Sequence, residues 1–282
     1  MLAGVSLFPL MNAIAKSLTA DYPAWQITWA RFTGHLLVIA IVFMPRRGLG
    51  LARSAYPRRQ FMRSMVFFGS NACFIMALPH IELATASAII FTAPILVTVL
   101  SVIFLRERIG IWRWSAVVIG FLGALIVVQP GQGELTVGVW LVLGAATCYA
   151  IYQLMTRSLA SVDAPDTQIF YTAFAGCIVT SLTVGFVGMV PNNWFDIGKF
   201  IALGSLGALG HFLVIQALRR ASASFMSPLG YVELLGAAAL GYAVFGEVPG
   251  VDLWIGAACI VASGLIIAYR QAVVATRRSQ AE

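Results

Sequence analysis

The sequence predicts an all-α membrane protein: ten transmembrane helices set as two inverted five-helix repeats, with N- and C-termini cytoplasmic. Three observations predict it. The composition is too apolar for water, the apolar stretches have spanning length, and one half of the chain repeats the other at a fixed offset. Apolar residues make up 60% of the chain and charged residues 10%, against about 45–50% and roughly 25% in soluble domains. A bilayer removes the need for a charged surface, because lipid solvates apolar faces and leaves only backbone polarity to be satisfied internally. The short alternating strands of an outer-membrane barrel are absent from the sequence.

Hydropathy and turn residues divide the chain into segments at about 1–18, 26–44, 61–79, 83–105, 112–129, 136–156, 167–190, 199–218, 222–245 and 253–270. Most match the roughly 17–25 residues that cross a hydrocarbon layer. The connections carry breakers: Asp21-Tyr22-Pro23, Pro130-Gly131-Gln132-Gly133, Pro191-Asn192-Asn193 and Pro249-Gly250. The first segment starts at Met1 without a basic leader region or a small-residue cleavage site, so it reads as a retained helix. Basic residues set the orientation. With the N-terminus inside, the arginine-bearing connections all face inward, from Arg46, Arg47 and Arg53 through Arg106 and Arg108 to Arg219, Arg220 and Arg270. The outward side holds Lys16 and Lys199, and Arg31 lies within a segment.

Glu107 and Glu247 stand 140 positions apart, as do Trp114/Trp254, Ala77/Ala217, Leu78/Leu218, Gly110/Gly250, Leu125/Leu265 and Ile126/Ile266. One five-helix unit is thus written twice, over 1–130 and 136–270, ahead of a cytoplasmic tail at 271–282. Five is odd, so the second copy enters the membrane from the opposite side. The charges agree: Leu105-Arg106-Glu107-Arg108 is basic, and its counterpart Phe245-Gly246-Glu247-Val248 has lost both arginines. Inverted repeats of this kind place one midplane site between two halves.

Other classes fit poorly. The net charge of +7 is spread over short connections rather than gathered on one basic face, so no nucleic-acid partner is expected. Cys73, Cys148, Cys177 and Cys259 have neither disulfide-framework nor metal-ligand spacing. The three histidines, His35, His80 and His211, supply no catalytic constellation, so a membrane-embedded enzyme is disfavoured. Neither a cofactor nor a metal is expected. The expected partners are a small-molecule substrate and the lipid bilayer; a homodimer is left open.

Ala93-Pro94-Ile95, Leu105-Arg106-Glu107-Arg108 and Gly120-Phe121-Leu122-Gly123 in the first copy, with Gly246-Glu247-Val248-Pro249, Gly256 and Ser263-Gly264 in the second, resemble the EamA family of the drug/metabolite transporter superfamily. Lys16 and Arg31 fit the same pattern. Tyr231-Val232-Glu233-Leu234-Leu235 resembles a branch of riboflavin- and S-adenosylmethionine-type carriers. The resemblance implies a secondary transporter in the cytoplasmic (inner) membrane, moving a small organic metabolite by alternating access, with proton coupling as one energy source. The alternative it implies is a facilitative importer of a vitamin or nucleoside metabolite. The sequence carries no Gly-x-x-x-x-Gly-Lys-Ser/Thr loop for ATP.

The candidate site residues lie mid-segment. Glu233 falls about eleven residues into the ninth segment, roughly 16 Å deep at 1.5 Å per residue. An ionisable group there costs at least about 2.5–3.5 kcal/mol unless it faces a polar interior; it suits a proton carrier or a counter-ion, the alternative being a structural hydrogen bond. His211 and Asn71 are repeat mates at equivalent depth, and His211 joins Glu233 as a proton-coupling candidate. Tyr149 and Gln153 share a helical face. Tyr231 precedes Glu233 by two and is expected to project elsewhere. Asn12 and Thr92 complete the expected cavity, and Pro94, which frees the Ile90 carbonyl, is the expected hinge. Arg31 is expected to snorkel to the headgroups in preference to binding substrate, and Glu107 and Glu247 to cap helix ends or pack against the next connection. Gly204, Gly207 and His211, and separately Gly120 and Gly123, form small-residue stripes expected to let helices touch.

Overall fold

The computed structural model describes residues 2–105, 110–129, 136–159, 162–218 and 229–279. Among the described residues all regular structure is helical. The helices are α1 (Leu2–Leu18), α2 (Ala24–Arg47), α3 (Pro57–Ala77), α4 (Leu83–Ile90), α5 (Ala93–Leu105), α6 (Ile111–Val128), α7 (Val137–Leu159), α8 (Pro165–Val187), α9 (Trp194–Leu218), α10 (Val232–Phe245) and α11 (Val251–Ser279). Eight spans among the described residues are long and apolar enough to cross a membrane, α4 and α5 counting as one; α1 and α10 are shorter apolar helices. Side chains such as Phe104, Leu182 and Phe186 remain exposed on the outer faces, as a lipid-facing surface requires and a soluble one avoids. Glu107 and its flanking arginines, the Pro130–Gly133 turn and residues 219–228 lie outside the described residues.

Two boundaries differ from the sequence-based expectation in ways that matter. The fourth segment is two helices, because Phe91 and Thr92 form a turn between α4 and α5. Pro94 then sits in the first turn of α5, where its missing N–H leaves no intrahelical bond unmade. The expected kink is therefore a break, and among the described residues no N–H reaches the Ile90 carbonyl. The ninth segment is likewise interrupted: Tyr231 occupies a turn and α10 begins at Val232. Phe91 and Tyr231 stand 140 positions apart. At the other end, α11 runs on to Ser279, well past the expected limit at 270.

Glycine sets the closest approaches. A Cβ on Gly34 of α2 would lie 2.7 Å from the Gly204 Cα of α9, so these backbones touch. Gly123 of α6 meets the Gly256 carbonyl of α11 with 2.7 Å for an added Cβ, and Ser263 of α11 donates to the Ala116 carbonyl of α6 at 2.6 Å. Both expected stripes thus make backbone contacts, which in lipid replace the hydrophobic drive that water would supply. One core cluster, including Met11, Leu18, Ile75, Leu83 and Leu203, gathers α1, α3, α4 and α9. Another, around Phe32, Phe67 and Phe68, joins α2 and α3 to α8.

The α10–α11 turn is built by Gly246 at φ 69°, a left-handed conformation that only glycine adopts without penalty. The Gly246 N–H donates to the Tyr242 carbonyl at 3.0 Å and the Glu247 N–H to the Gly241 carbonyl at 3.1 Å. This helix-terminating pattern turns the Glu247 side chain back toward the bundle.

Candidate functional site

Both helix breaks open onto a single internal cavity of about 310 Å³. Phe8, Met11 and Asn12 of α1 line it, with Phe67, Ser70, Asn71 and Phe74 of α3, and Tyr149 and Gln153 of α7. Ile90, Phe91, Ala93 and Pro94 come from the first break, Tyr231 and Glu233 from the second, Arg31 from α2 and His211 from α9. The Phe91 and Tyr231 rings meet with centroids 5.2 Å apart. Tyr231 is wedged so tightly that a Cβ on Gly264 of α11 would strike its hydroxyl.

The structure brings together Asn12, Asn71, Tyr149, Gln153, His211, Tyr231, Glu233 and Pro94 from the expected set. Three expectations are corrected. Thr92 is buried but does not line the cavity: its hydroxyl donates to the Ile89 carbonyl at 2.7 Å and finishes α4. Arg31 does not snorkel; it lines the cavity, because α2 turns that face inward against α9. Tyr231 and Glu233 face the same cavity despite their spacing, because Tyr231 belongs to the turn and Glu233 to the first turn of α10. Helical projection angles do not carry across a break.

Sequence reasoning overlooked His35. It lies one turn beyond Arg31 on α2, and its ring stacks on His211 at 5.4 Å. His211 also packs against Phe8 and Phe67. The i,i+4 spacing of Arg31 and His35 carried the signal. Phe91 was equally findable as the repeat mate of Tyr231. Asn71 donates to the Phe67 carbonyl at 2.9 Å, leaving its amide oxygen without a protein donor among the described residues.

Polar ties hold the bundle at both ends. At one end the Lys16 ammonium pairs with Glu247 and donates to the Ile81 carbonyl at 2.7 Å, while Glu247 accepts from the Leu83 N–H at 2.9 Å. Glu247 therefore caps α4, as expected of a helix-end glutamate, and also carries an ion pair. Nearby, the Tyr22 hydroxyl donates to Asp196 at 2.8 Å and accepts from the Asn192 N–H at 2.8 Å. At the opposite end Arg63 is only 1% exposed. Its guanidinium donates to Gln60, Thr156, Thr172 and the Gln168 carbonyl, and lies over the Tyr152 ring. Asp163, in the α7–α8 connection, accepts from Ser54, the Ala55 N–H and Gln60. Burial pushes its carboxyl up, but those three hydrogen bonds outweigh burial and hold it below the usual carboxylate range.

The EamA-like transporter family model matches residues 1–129 and again residues 136–269. The chain belongs to that family. As an EamA protein it is a multi-pass integral membrane protein and a transporter of the drug/metabolite type. It is 28% identical over 267 residues to the riboflavin transporter of Vibrio cholerae, covering 93% of this chain and 89% of the other. It is 23% identical to the S-adenosylmethionine uptake transporter of Rickettsia felis, covering 96% and 92%. It is 27% identical to the pseudopaline exporter CntI of Pseudomonas aeruginosa, covering 86% and 85%. A solved crystal structure shares the fold with a TM-score of 0.64 at 20% identity, over 94% of each chain.

Proposed function

We propose that this EamA protein is a secondary transporter that carries a small organic metabolite across the cytoplasmic membrane by alternating access, using the cavity described above as its substrate site. One observation carries the proposal: a cavity formed by helices of both halves holds two opposite charges, Arg31 and Glu233, with no ion-pair partner for either among the described residues. Charge that far from water is costly unless it serves a ligand or an ion.

The packing supports two inverted halves, 1–130 and 136–270. Exchanging α1 with α7, α2 with α8, α3 with α9, α4/α5 with α10 and α6 with α11 turns the α1–α9 contact into α7–α3. It turns α2–α9 into α8–α3 and α1–α10 into α7–α5, all of which occur. The α2–α8, α4–α10 and α6–α11 contacts map onto themselves. The close contacts obey the same exchange: Gly123 with Gly256 maps at offset 140 onto Ser263 with Ala116. An odd number of spans per half sets the axis in the membrane plane, and the arginine-bearing connections put both termini in the cytoplasm.

In this mechanism substrate fills the cavity between Arg31, His211, Asn71 and Gln153 on one side and Tyr231 and Glu233 on the other. The helices that end or begin at the breaks, α4, α5 and α10, are the moving parts, since a break lets each swing without stretching a hydrogen-bond ladder. Glu233 and His211 carry the coupling proton. The names of the relatives favour a second reading, facilitated uptake of a vitamin or nucleoside metabolite without coupling. Flux of labelled riboflavin, S-adenosylmethionine, amino acids and organic cations into proteoliposomes, with and without an imposed pH gradient, separates the two. At least one compound accumulates unchanged in chemistry, and Glu233→Gln abolishes its gradient-driven accumulation while the protein still inserts. Chemical conversion of a compound, or undiminished gradient-driven accumulation in Glu233→Gln, would refute the proposal.

A further inference from the structure

We propose that the cavity selects zwitterions, holding an anionic group of the substrate against Arg31 and His211 and a protonated amine against Glu233. The inference rests on the cavity being the substrate site. It deepens that reading by naming what the site accepts.

Arg31 and Glu233 line one cavity, and each feels the other's charge. Yet among the described residues neither has a hydrogen bond or an ion-pair partner. Two desolvated opposite charges that stop short of contact leave the space between them to an occupant. A guanidinium offers five donors and no acceptor, and a carboxylate offers only acceptors. A molecule that both pairs with these groups and neutralises their charges carries an anion and a cation of its own.

The surroundings divide in the same sense. Beside Arg31 lie the stacked imidazoles of His35 and His211, with no carboxylate hydrogen-bonded to either ring among the described residues, so that wall carries the Arg31 cation and an imidazole N–H with no competing anion. Glu233 is the only acid among the described residues lining the cavity. It is flanked by the Phe91–Tyr231 ring pair, whose faces attract an ammonium, and by the break that leaves the Ile90 carbonyl free. Phe8, Phe67, Phe74 and Tyr149 offer an apolar bed for the body of the molecule. A cavity of about 310 Å³ is at the small end for ligand sites. A substrate with one charge would leave the opposite wall bare.

The test uses the full chain in lipid nanodiscs near neutral pH, with binding read by calorimetry. Two zwitterions of different charge spacing, L-phenylalanine and 4-(aminomethyl)benzoate, are each compared with their methyl ester and their N-acetyl derivative. At least one zwitterion binds about tenfold or more tightly than both of its blocked forms. Arg31→Gln removes the margin over the ester only, and Glu233→Gln the margin over the N-acetyl form only. If a variant does not fold, the comparison on the unaltered protein stands by itself. Equal binding of a zwitterion and its blocked forms, or no binding of either zwitterion, overturns the inference. If the flux panel still shows a transported compound, the transporter reading survives that outcome. A binding margin without flux of any compound would sink the transporter reading and leave charge selection standing.

Discussion

At one end of the bundle Lys16 reaches from the last turn of α1 to Glu247 and the Ile81 carbonyl, and Glu247 in turn caps α4. At the other end Arg63 is sunk between α3, α7 and α8 with four hydrogen-bonded partners and a ring beneath it. The first tie is sparse, a single ion pair with one further hydrogen bond to each partner. It joins the end of α1 to the turn after α10 and to the start of α4. The second is fully buried and joins helices that pack along their lengths. The repeat register sharpens the contrast: Lys16 has Thr156 as its mate, and Glu247 has Glu107. Position 156 thus carries a threonine where the first copy carries the lysine, and Thr156 accepts from Arg63. Two halves that share a fold have been given one breakable tie and one weld.

The weld predicts the largest effect on folding. Arg63→Met leaves Gln60 and the Gln168 carbonyl buried without their donor. Such a loss costs about 1–3 kcal/mol for each buried group left unpaired, visible as a large fall in the thermal unfolding midpoint and in yield. An unchanged midpoint would show that Arg63 is not structural. The tie predicts the reverse balance. Lys16→Met leaves Glu247 its Leu83 N–H and takes away one ion pair, a smaller loss than that of the Arg63 network, yet it opens the cavity toward that end. A cysteine at Ser70, in a background without other cysteines, then reacts with an impermeant maleimide several-fold faster when reagent is added on the Lys16 side. Equal labelling of both backgrounds would mean that the ion pair does not gate.

Much of this was legible because spacing and chemistry agreed. Apolar runs and breakers located the helices, and the 140-residue offset paired Asn71 with His211 before either was seen in the cavity. The capping role of Glu247 followed from its place beside a glycine turn. The breaks were read only as a kink at Pro94, since the apolar runs continue across Phe91-Thr92 and Tyr231 and hid the flanking signals of Pro94 and Pro228-Leu229-Gly230. Missing them hid the common cavity of Tyr231 and Glu233. Arg31 was misplaced because depth from a helix end says nothing of azimuth; α2 is turned by its glycine contact with α9, which only tertiary packing reveals.

The two breaks can also be compared directly. Tyr231 presses its hydroxyl on Gly264, while its repeat mate Phe91 has no hydroxyl and the mate of Gly264 is Ala124. Tyrosine goes with glycine in one copy and phenylalanine with alanine in the other. Gly264→Ala should therefore overpack the second break, costing about 1–3 kcal/mol and slowing flux. Adding Tyr231→Phe restores the first copy's combination and with it most of the stability. If the double variant is no better than the single one, the clash at 264 is not with that hydroxyl.

The smallest expected effect is at the Arg63 end, outside the membrane. Asp163 is held below the ordinary carboxylate value of 3.8 by Ser54, the Ala55 N–H and Gln60. A group whose value is lowered on folding contributes stability that is fully present above its unfolded value and lost as pH falls through the folded one. Unfolding midpoints should thus stay flat in this respect from neutrality down to about pH 5 and fall only in stronger acid. Asp163→Asn keeps one acceptor but loses the charge and turns an amide toward the Gln60 donor. It should cost about 1 kcal/mol at neutral pH and flatten the acid limb. Lys16→Met, acting on the other tie, should leave that limb as it was. An acid limb unchanged in Asp163→Asn would assign the pH sensitivity to another carboxylate and detach Asp163 from the weld.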